Sequence, residues 1–297
     1  MQTLLNNLYI GITLASIFLL VGLGLTFTFG QMGVINLAHG EFIMAGAYVP
    51  YVLQTGLLKS HDSAAVLIAL PLAFVVAGLM GAVLERVLLR RMYDRTLDTL
   101  LVTFGVSLIL QQLAKDLFSA NNKDVITPTF LRGRWELLGV SLTHTRLFVV
   151  VVVLVSMAAM WLFMGGTPAG RRMRAVMQNR DLAAVSGLPT SRVDATTFFI
   201  GSGLAGVAGV SVALIGPIGT GTGTAYILSA FLVVIVGGLG KLRGAVAAAL
   251  ILGLLNSYVE YFTSSTIGKA MVFVFVILFL QFRPNGLVSF RTRGLTA

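Results

Sequence analysis

The sequence contains no cysteine and little charge. Of its 297 residues none is Cys, 11% are Asp, Glu, Lys or Arg, and 57% are hydrophobic. The absence of cysteine excludes disulfide bonds and thiolate metal sites. The scarcity of charge excludes a soluble globular domain, in which about a quarter of the residues are charged. We therefore expect a membrane protein.

Apolar segments of membrane-spanning length recur along the whole sequence. Each is close to the ~20 residues that a helix needs to cross a bilayer. We place spans at residues 8–29, 37–54, 64–84, 97–118, 146–164, 195–215, 225–239, 244–262 and 267–282. The first has no basic residue before it and no small-residue cleavage site after it, so we do not expect a cleaved signal peptide. The sequence predicts an all-α, polytopic membrane bundle of about nine spans (about eight to ten), forming one domain over residues 1–297.

Basic residues outnumber acidic ones by 21 to 11, which gives a net charge of +10. The basic residues are richest at 86–95, 171–192, 241–243 and 283–293. These segments alternate with poorer ones along the predicted spans, as the positive-inside rule requires. We therefore attribute the charge to membrane topology and expect no nucleic-acid partner. The pattern predicts a cytoplasmic C-terminus and, with nine spans, an external N-terminus.

Two connections between the predicted spans are long. Residues 119–145 form the predicted outer loop, where alternating stretches around Trp135 indicate a small hairpin or an interfacial helix. Residues 166–195 form the predicted cytoplasmic loop, which combines arginines with a short small-residue helix. Small residues let a partner backbone come close, so this helix is a candidate docking element, and an ordinary positive-inside loop is the alternative. The candidate docking residues are Asp181, Ala183, Ala184 and Gly187.

Polar residues interrupt the apolar sequence between the first two predicted spans. Within residues 29–42, glycines alternate with Gln31, Asn36, His39 and Glu41. Ionisable groups at membrane depth are costly unless they face a cavity, a partner or water, and glycine-broken helices often build substrate sites. Asn36, His39 and Glu41 are therefore candidate pathway residues. The alternatives are a cytoplasmic turn, or a Glu41–His39 contact that only stabilises the bundle.

Further polar positions lie inside the other predicted spans. Asn256 and Glu260 are four residues apart and share one helical face, so Asn256 is a fourth pathway candidate. Glu260 lies near the outer end, where a solvated interfacial carboxylate is the simpler interpretation. Hydroxyl and amide side chains elsewhere either extend a polar path or bond to their own helices: Thr26, Thr28, Thr103, Ser107, Gln111 and Gln112. A small-residue ladder at Gly201, Ala205 and Gly209 predicts close helix packing.

No motif in the sequence indicates catalysis. A Walker-type G-x-x-x-x-G-K-[ST] is absent, so we expect no ATP binding by that route. The stretch 209–212 (GVSV) lacks the second glycine of a nucleophile elbow. His39 and Glu41 are two residues apart and point in different directions on a helix, which argues against a metal site. We therefore expect no catalytic residue, no metal and no cofactor.

Four segments carry a resemblance to a known family. They are FGQMGVINLAHGEFIMAGAY (29–48), AVMQNRDLAAVSGLPTSRVDATTFFIGSGLAGVAG (175–209), VVIVGGLGKLRGAVAAALILGLLN (233–256) and GKAMVFVFVILFLQFRPNGL (268–287). Together they resemble the permease subunits of ABC importers of the branched-chain amino acid family, over nearly the whole chain. Within that family, QNR, GSGLAGVAG and LFLQFRPNGL are most similar to the first of the two urea importer permeases.

The resemblance implies a fold like that of type II ABC importer permeases. Its implied partners are a second permease subunit, two cytoplasmic ATPase subunits that hydrolyse ATP, an external solute-binding protein and membrane lipid. Residues 181–187 would then form the coupling helix that contacts an ATPase subunit.

The expected function is therefore a permease subunit for urea or a related short amide in a bacterial inner membrane. A branched-chain amino acid importer permease is the alternative within the family. A self-sufficient channel or secondary transporter is the alternative from another class. Such a transporter needs acid–base relays on several spans, and this chain has one candidate region.

Overall fold

Long apolar segments fold as helices because a bilayer offers no hydrogen-bond partners to an open backbone. The computed structural model describes residues 2–59, 61–93, 95–137 and 140–288. Within these ranges the chain is mostly helical, which confirms the all-α prediction. The helices are α1 (Gln2–Met32), α2 (His39–Val52), α3 (Asp62–Val87), α4 (Thr96–Phe118), α5 (His144–Gly166), α6 (Pro168–Gln178), α7 (Arg180–Val185), α8 (Thr190–Ala213), α9 (Thr222–Gly237), α10 (Leu242–Phe262) and α11 (Ser265–Phe282).

Seven of the described helices are long and apolar enough to cross a membrane: α1, α3, α4, α5, α8, α10 and α11. The other two predicted spans correspond to shorter helices. Helix α2 has 14 residues and continues into a π-helical turn at Leu53–Leu57, and α9 has 16 residues. Helices α6 and α7 lie in the loop between α5 and α8. The prediction of about nine spans thus agrees with seven long helices and two short ones.

Helix α8 is the centre of the bundle, and it packs against α1, α2 and α3. Small residues permit this packing. A Cβ atom at Gly209 would lie 2.6 Å from the backbone nitrogen of Ala47, and one at Gly201 would lie 2.8 Å from the carbonyl oxygen of Gly24. The predicted ladder is therefore a close helix contact, with Ala205 fully buried between the two glycines.

The segment after α1 returns into the bundle instead of leaving it. At the start of α2, His39 Nε2 lies 3.3 Å from the carbonyl oxygen of Val21. Along the helix axis, Val21 lies about 16 Å from the C-terminal end of α1, at a rise of 1.5 Å per residue. Helix α2 therefore begins deep in the bundle. The non-helical backbone needs partners at that depth, and Leu37 N–H donates to Thr103 Oγ1 of α4 at 3.1 Å.

The segment before α9 also returns into the bundle. Residues 214–221 follow α8, and the first turn of α9 contacts the first turn of α2. Both helices have glycine at this contact, because a Cβ at Gly40 would lie 2.7 Å from the carbonyl oxygen of Gly223. The N-terminal ends of the two short helices therefore meet inside the protein.

The predicted outer loop contains a two-stranded antiparallel hairpin of β1 (Arg134–Leu137) and β2 (Val140–Thr143). This confirms the hairpin rather than the interfacial helix. The same loop is joined to the segment before α9 by two backbone hydrogen bonds. Lys123 N–H donates to Ile218 O at 2.8 Å, and Ile218 N–H donates to Lys123 O at 2.9 Å.

Candidate functional site

A buried polar cluster lies where the first turns of α2 and α9 meet α4. We call Glu41, Ser107, Gln111 and Thr224 the Glu41 cluster. Ser107 Oγ and Gln111 Nε2 donate to Glu41 Oε1 at 2.9 Å and 2.8 Å. Gln111 Nε2 also lies 3.2 Å from Thr224 Oγ1. Glu41 is 1% exposed, and its Oε2 has no hydrogen-bond partner among the described residues.

Two helix N-termini favour a negative charge at this position. Glu41 lies in the first turn of α2. Its Oε2 would be 3.0 Å from a Cβ at Gly223, in the first turn of α9. The N-terminal end of a helix carries a partial positive charge, so both helix dipoles stabilise a carboxylate here. The arrangement leaves one carboxylate oxygen open for a further donor.

The Glu41 cluster extends from the interior to the surface of the chain. Glu41 is buried, Gln111 is half-buried and Thr224 is exposed. These residues therefore mark a polar route from the open face of α4 and α9 to the first turn of α2. The sequence analysis named Ser107 and Gln111 as path-lining or self-bonding, and the structure brings both to Glu41.

Asn36 and His39 are fully buried beside this cluster, but they do not contact Glu41. Neither side-chain amide atom of Asn36 has a partner among the described residues, nor has His39 Nδ1. His39 Nε2 instead approaches Val21 O. The Glu41–His39 contact considered above is thus not formed. The turn before α2 is buried rather than solvated, because Asn36 and His39 are fully buried and His39 reaches Val21 in the middle of α1.

The structure does not bring Asn256 into the Glu41 cluster. Asn256 Nδ2 donates to Glu260 Oε2 at 3.3 Å. Its side chain lines a separate shallow cavity with Ser229 of α9 and Lys269 of α11. Asn256 was grouped with Asn36, His39 and Glu41 because it is a polar residue in an apolar span. That property alone does not indicate which helices the side chain faces.

The candidate docking helix α7 is built by local capping. Asn179 Oδ1 accepts from Leu182 N–H at 2.9 Å at its start. At its end, Gly187 adopts a φ of +81°, which favours glycine. Leu188 N–H and Gly187 N–H donate to Ala183 O and Ala184 O, both at 3.0 Å, which is the Schellman pattern. Gly187 therefore terminates the helix.

The exposed face of α7 differs from the predicted docking set. Asp181, Ala184 and Gly187 are exposed, but Ala183 is 5% exposed and packs into the bundle. Ala183 therefore does not belong to a docking surface. The exposed face of α7 instead includes two apolar side chains, because Leu182 is 62% exposed and Val185 is 82% exposed.

An ion pair between a partly exposed arginine and a buried aspartate connects α7 to the membrane helices. Arg180 Nη1 and Nη2 donate to Asp194 Oδ1 and Oδ2 at 3.0 Å and 2.6 Å. Asp194 lies in α8 and is fully buried, and its Oδ1 also accepts from Gln31 Nε2 of α1 at 3.1 Å. Thr197 Oγ1 donates to Gln31 Oε1. The start of α7 is thus bonded to the end of α1 through α8.

An aromatic residue extends this connection to α3. The guanidinium carbon of Arg180 lies 5.0 Å from the ring centre of Tyr93. The Tyr93 hydroxyl donates to Glu85, which is fully buried near the end of α3. Burial and this hydrogen bond raise the pKa of Tyr93 above its ordinary value, so the donor stays protonated. We refer to Gln31, Glu85, Tyr93, Arg180 and Asp194 as the anchor cluster.

Known proteins are similar to this chain over nearly its whole length. The family model described as branched-chain amino acid transport system permease component matches residues 7–281. The high-affinity branched-chain amino acid transport system permease protein LivH of Escherichia coli is 31% identical, over 96% of this chain and 95% of its own length. The corresponding protein BraD of Pseudomonas aeruginosa is 29% identical over the same shares. The probable branched-chain amino acid transport permease LivH of Methanocaldococcus jannaschii is 28% identical, over 93% of this chain and 89% of its own length. No solved structure gives a significant match.

Proposed function

This chain belongs to the family of branched-chain amino acid transport system permease components, and on that premise we propose that it forms the translocation path for aliphatic amino acids. It is a membrane permease subunit of an ABC importer and not an enzyme. The sequence motifs led us to expect urea, and the solute proposed here is different. The proposal of an aliphatic amino acid is supported by the names of the relatives and by the chemistry of the Glu41 cluster.

The observation that carries the solute proposal is the open carboxylate oxygen of Glu41 beside two helix N-termini. A free amino acid carries an ammonium and a carboxylate group. The two helix N-termini stabilise the Glu41 carboxylate, and the free oxygen of that carboxylate complements the ammonium group of an amino acid. Urea is neutral and needs no charged partner. The buried charge at Glu41 therefore favours a zwitterionic solute.

The path in this proposal runs along the face of the chain on which Thr224 is exposed and Gln111 half-buried. A second permease subunit covers this face, so that the path lies between the two subunits. In this proposal the chain acts as a single transmembrane permease domain over residues 1–297. Asn36 and His39 supply further unpartnered polar atoms next to the path.

In this proposal an ATPase subunit binds α7 on the cytoplasmic side. An external solute-binding protein contacts the hairpin loop on the other side. Leu182 and Val185 provide apolar contacts at the exposed face of α7. The anchor cluster then transmits the position of α7 to α1, α3 and α8. The C-terminus is cytoplasmic in this topology, and ATP is hydrolysed by the partner subunits.

The test is ATP-dependent uptake by the whole importer in proteoliposomes, with radiolabelled leucine, valine and urea as solutes. Glu41→Gln keeps the shape of the side chain and deletes its charge, whereas Asn36→Leu deletes hydrogen bonding at similar size. For an amino acid, Glu41→Gln should lower uptake at least ~10-fold, since a hydrogen bond to a charged group is lost. It should lower uptake more than Asn36→Leu does.

Glu260→Gln is the matched control, because it makes the same change outside the Glu41 cluster. Co-purification of all subunits shows whether each variant assembles. If the wild-type importer takes up urea and the Glu41→Gln variant takes it up equally well, the solute is instead the neutral amide. Normal leucine uptake by assembled Glu41→Gln would remove Glu41 from the path.

A further inference from the structure

An apolar groove on the outside of the bundle lies between α3 and α5, with α8 as its floor. Helix α3 packs along α8, whereas α5 packs mainly on α1, so the two helices leave a gap. The groove is lined by Phe74, Val152, Phe163, Ile200 and Leu204, among other apolar side chains. Within the described residues, no protein segment fills it.

A second cavity lies about one helical turn before this groove along α8, at the arginine-rich end of the helix. It is lined by Arg172 and Met173 of α6 and by Arg192 and Thr196 of α8. Along α8, each step of four residues through positions 192, 196, 200 and 204 turns by only about 40°, so these positions form a continuous, slowly winding strip on the helix. The same strip thus carries a basic end and an apolar stretch.

The length of this strip matches one leaflet of a bilayer. From Thr196 to Val207, which also lines the groove, α8 rises about 16 Å at 1.5 Å per residue. Half of the ~30 Å hydrocarbon core of a bilayer is about 15 Å. A single acyl chain therefore fits the apolar stretch when its headgroup lies at Thr196.

The two arginines are available to bind an anion. The ion pairs among the described residues involve Arg95, Arg134 and Arg180, and not Arg172 or Arg192. The nearest acidic residue along α8, Asp194, is buried and paired with Arg180. Basic pockets between membrane helices bind the headgroups of anionic lipids, and guanidinium groups suit phosphate geometry.

We propose that an anionic phospholipid from the leaflet at the arginine-rich face binds in this groove. Its phosphate is held by Arg172 and Arg192. Thr196 Oγ1 donates its own proton to Arg192 O at 2.7 Å, so it accepts a hydrogen bond from a headgroup hydroxyl at the same level. One acyl chain lies along Ile200 and Leu204 between α3 and α5. The site is independent of the solute that the importer carries. It joins α6 and α8, the two helices that flank α7.

The experiment is native mass spectrometry of the whole importer, titrated with phosphatidylglycerol or phosphatidylcholine in mixed micelles. The wild-type complex should retain phosphatidylglycerol in preference to phosphatidylcholine. The double variant Arg172→Gln/Arg192→Gln should bind phosphatidylglycerol at least about tenfold more weakly. Arg171→Gln, which removes an exposed charge one position away, is the matched control and should bind as wild type. Ile200→Trp should also displace the lipid, because it fills the groove without changing charge.

Equal retention of both lipids would overturn the proposal, since it would indicate only unspecific annular lipid. Competition by inorganic phosphate with no effect of Ile200→Trp would also overturn it, because the site would then bind a free anion. A Val155→Cys variant tests whether the second permease subunit fills the groove instead. Efficient cross-linking of that cysteine to the partner permease would rule out the lipid.

Discussion

Asp194 is the buried charge on which the position of α7 most directly depends. Its two carboxylate oxygens accept three hydrogen bonds, two from Arg180 and one from Gln31. A buried ion pair adds little to folding stability compared with an apolar pair of the same shape. Removing one partner is costly, however, because it leaves an uncompensated buried charge. The pair therefore acts mainly as a geometric constraint between the loop and the bundle.

Arg180→Met should destabilise the permease by about 2 kcal/mol, below the 3–5 kcal/mol typical of fully buried pairs because Arg180 is partly solvated. The double variant Arg180→Met/Asp194→Asn should recover most of this loss. The measurement is the thermal unfolding midpoint of the detergent-solubilised complex. Arg95→Met is the control, since Arg95 pairs with the exposed Asp98 and should change little. An Arg180→Met midpoint equal to wild type would show that Asp194 is solvated in solution.

Single residues also show what the sequence could and could not predict. Glu41 was identifiable because a carboxylate in an apolar run is rare and costly. The anchor cluster was not identified, because its members lie on four separate segments and each has an ordinary explanation alone. The sequence does mark Asp194 and Glu85 as unusual, because they are acidic residues at the ends of predicted spans. Pairing them with Arg180 and Tyr93 required the packing of α1, α3 and α8.

Among helices, the contact between α2 and α8 depends on glycine. A Cβ at Gly209 would lie 2.6 Å from Ala47 N and 2.9 Å from Gly46 C, which are backbone atoms that cannot move independently. Gly209→Ala should therefore destabilise the complex by about 1–3 kcal/mol. Gly105→Ala on α4 is the control, because a Cβ there meets no atom within 4 Å. It should be neutral or slightly stabilising. Unfolding midpoints of the two variants compare them directly, and equal midpoints would contradict the packing.

The bounds of α2 and α9 were harder to predict than their existence. Their apolar composition predicted spans at 37–54 and 225–239. The structure gives shorter helices whose first turns meet inside the bundle. Apolar composition does not distinguish a helix that crosses the bilayer from one that starts within it. The glycines at 40 and 223 become informative only when the two turns are placed together.

The exposed apolar face of α7 gives a prediction about ATPase binding. Val185→Glu should lower co-purification of the ATPase subunits with the permease at least ~10-fold, since a charge would be buried in an apolar contact. Gln178→Glu adds the same charge at an exposed position at the end of α6 and should leave co-purification unchanged. Undiminished ATPase binding by Val185→Glu would exclude this face of α7 as the docking surface.

For the whole chain, the absence of cysteine makes the topology directly measurable. Single cysteines at Arg91 and Arg171 should react with a membrane-impermeant maleimide only after permeabilisation, because the arginine-rich ends are expected in the cytoplasm. A cysteine at Trp135, which is 64% exposed, should react in intact cells. All three sites are exposed in the permease, so labelling efficiency reports sidedness. Labelling at position 171 in intact cells would invert the proposed topology.

The backbone bridge between Lys123 and Ile218 has a consequence for how the importer responds from outside. Gly223 lies five positions after Ile218, and it touches Gly40, the residue before Glu41. In our proposal, a displacement of the hairpin loop of a few ångströms would reach the Glu41 cluster through this short length of chain, without tilting any long helix. A binding protein pressing on the loop and an ATPase moving α7 would then act on the same two helix starts from opposite sides of the membrane.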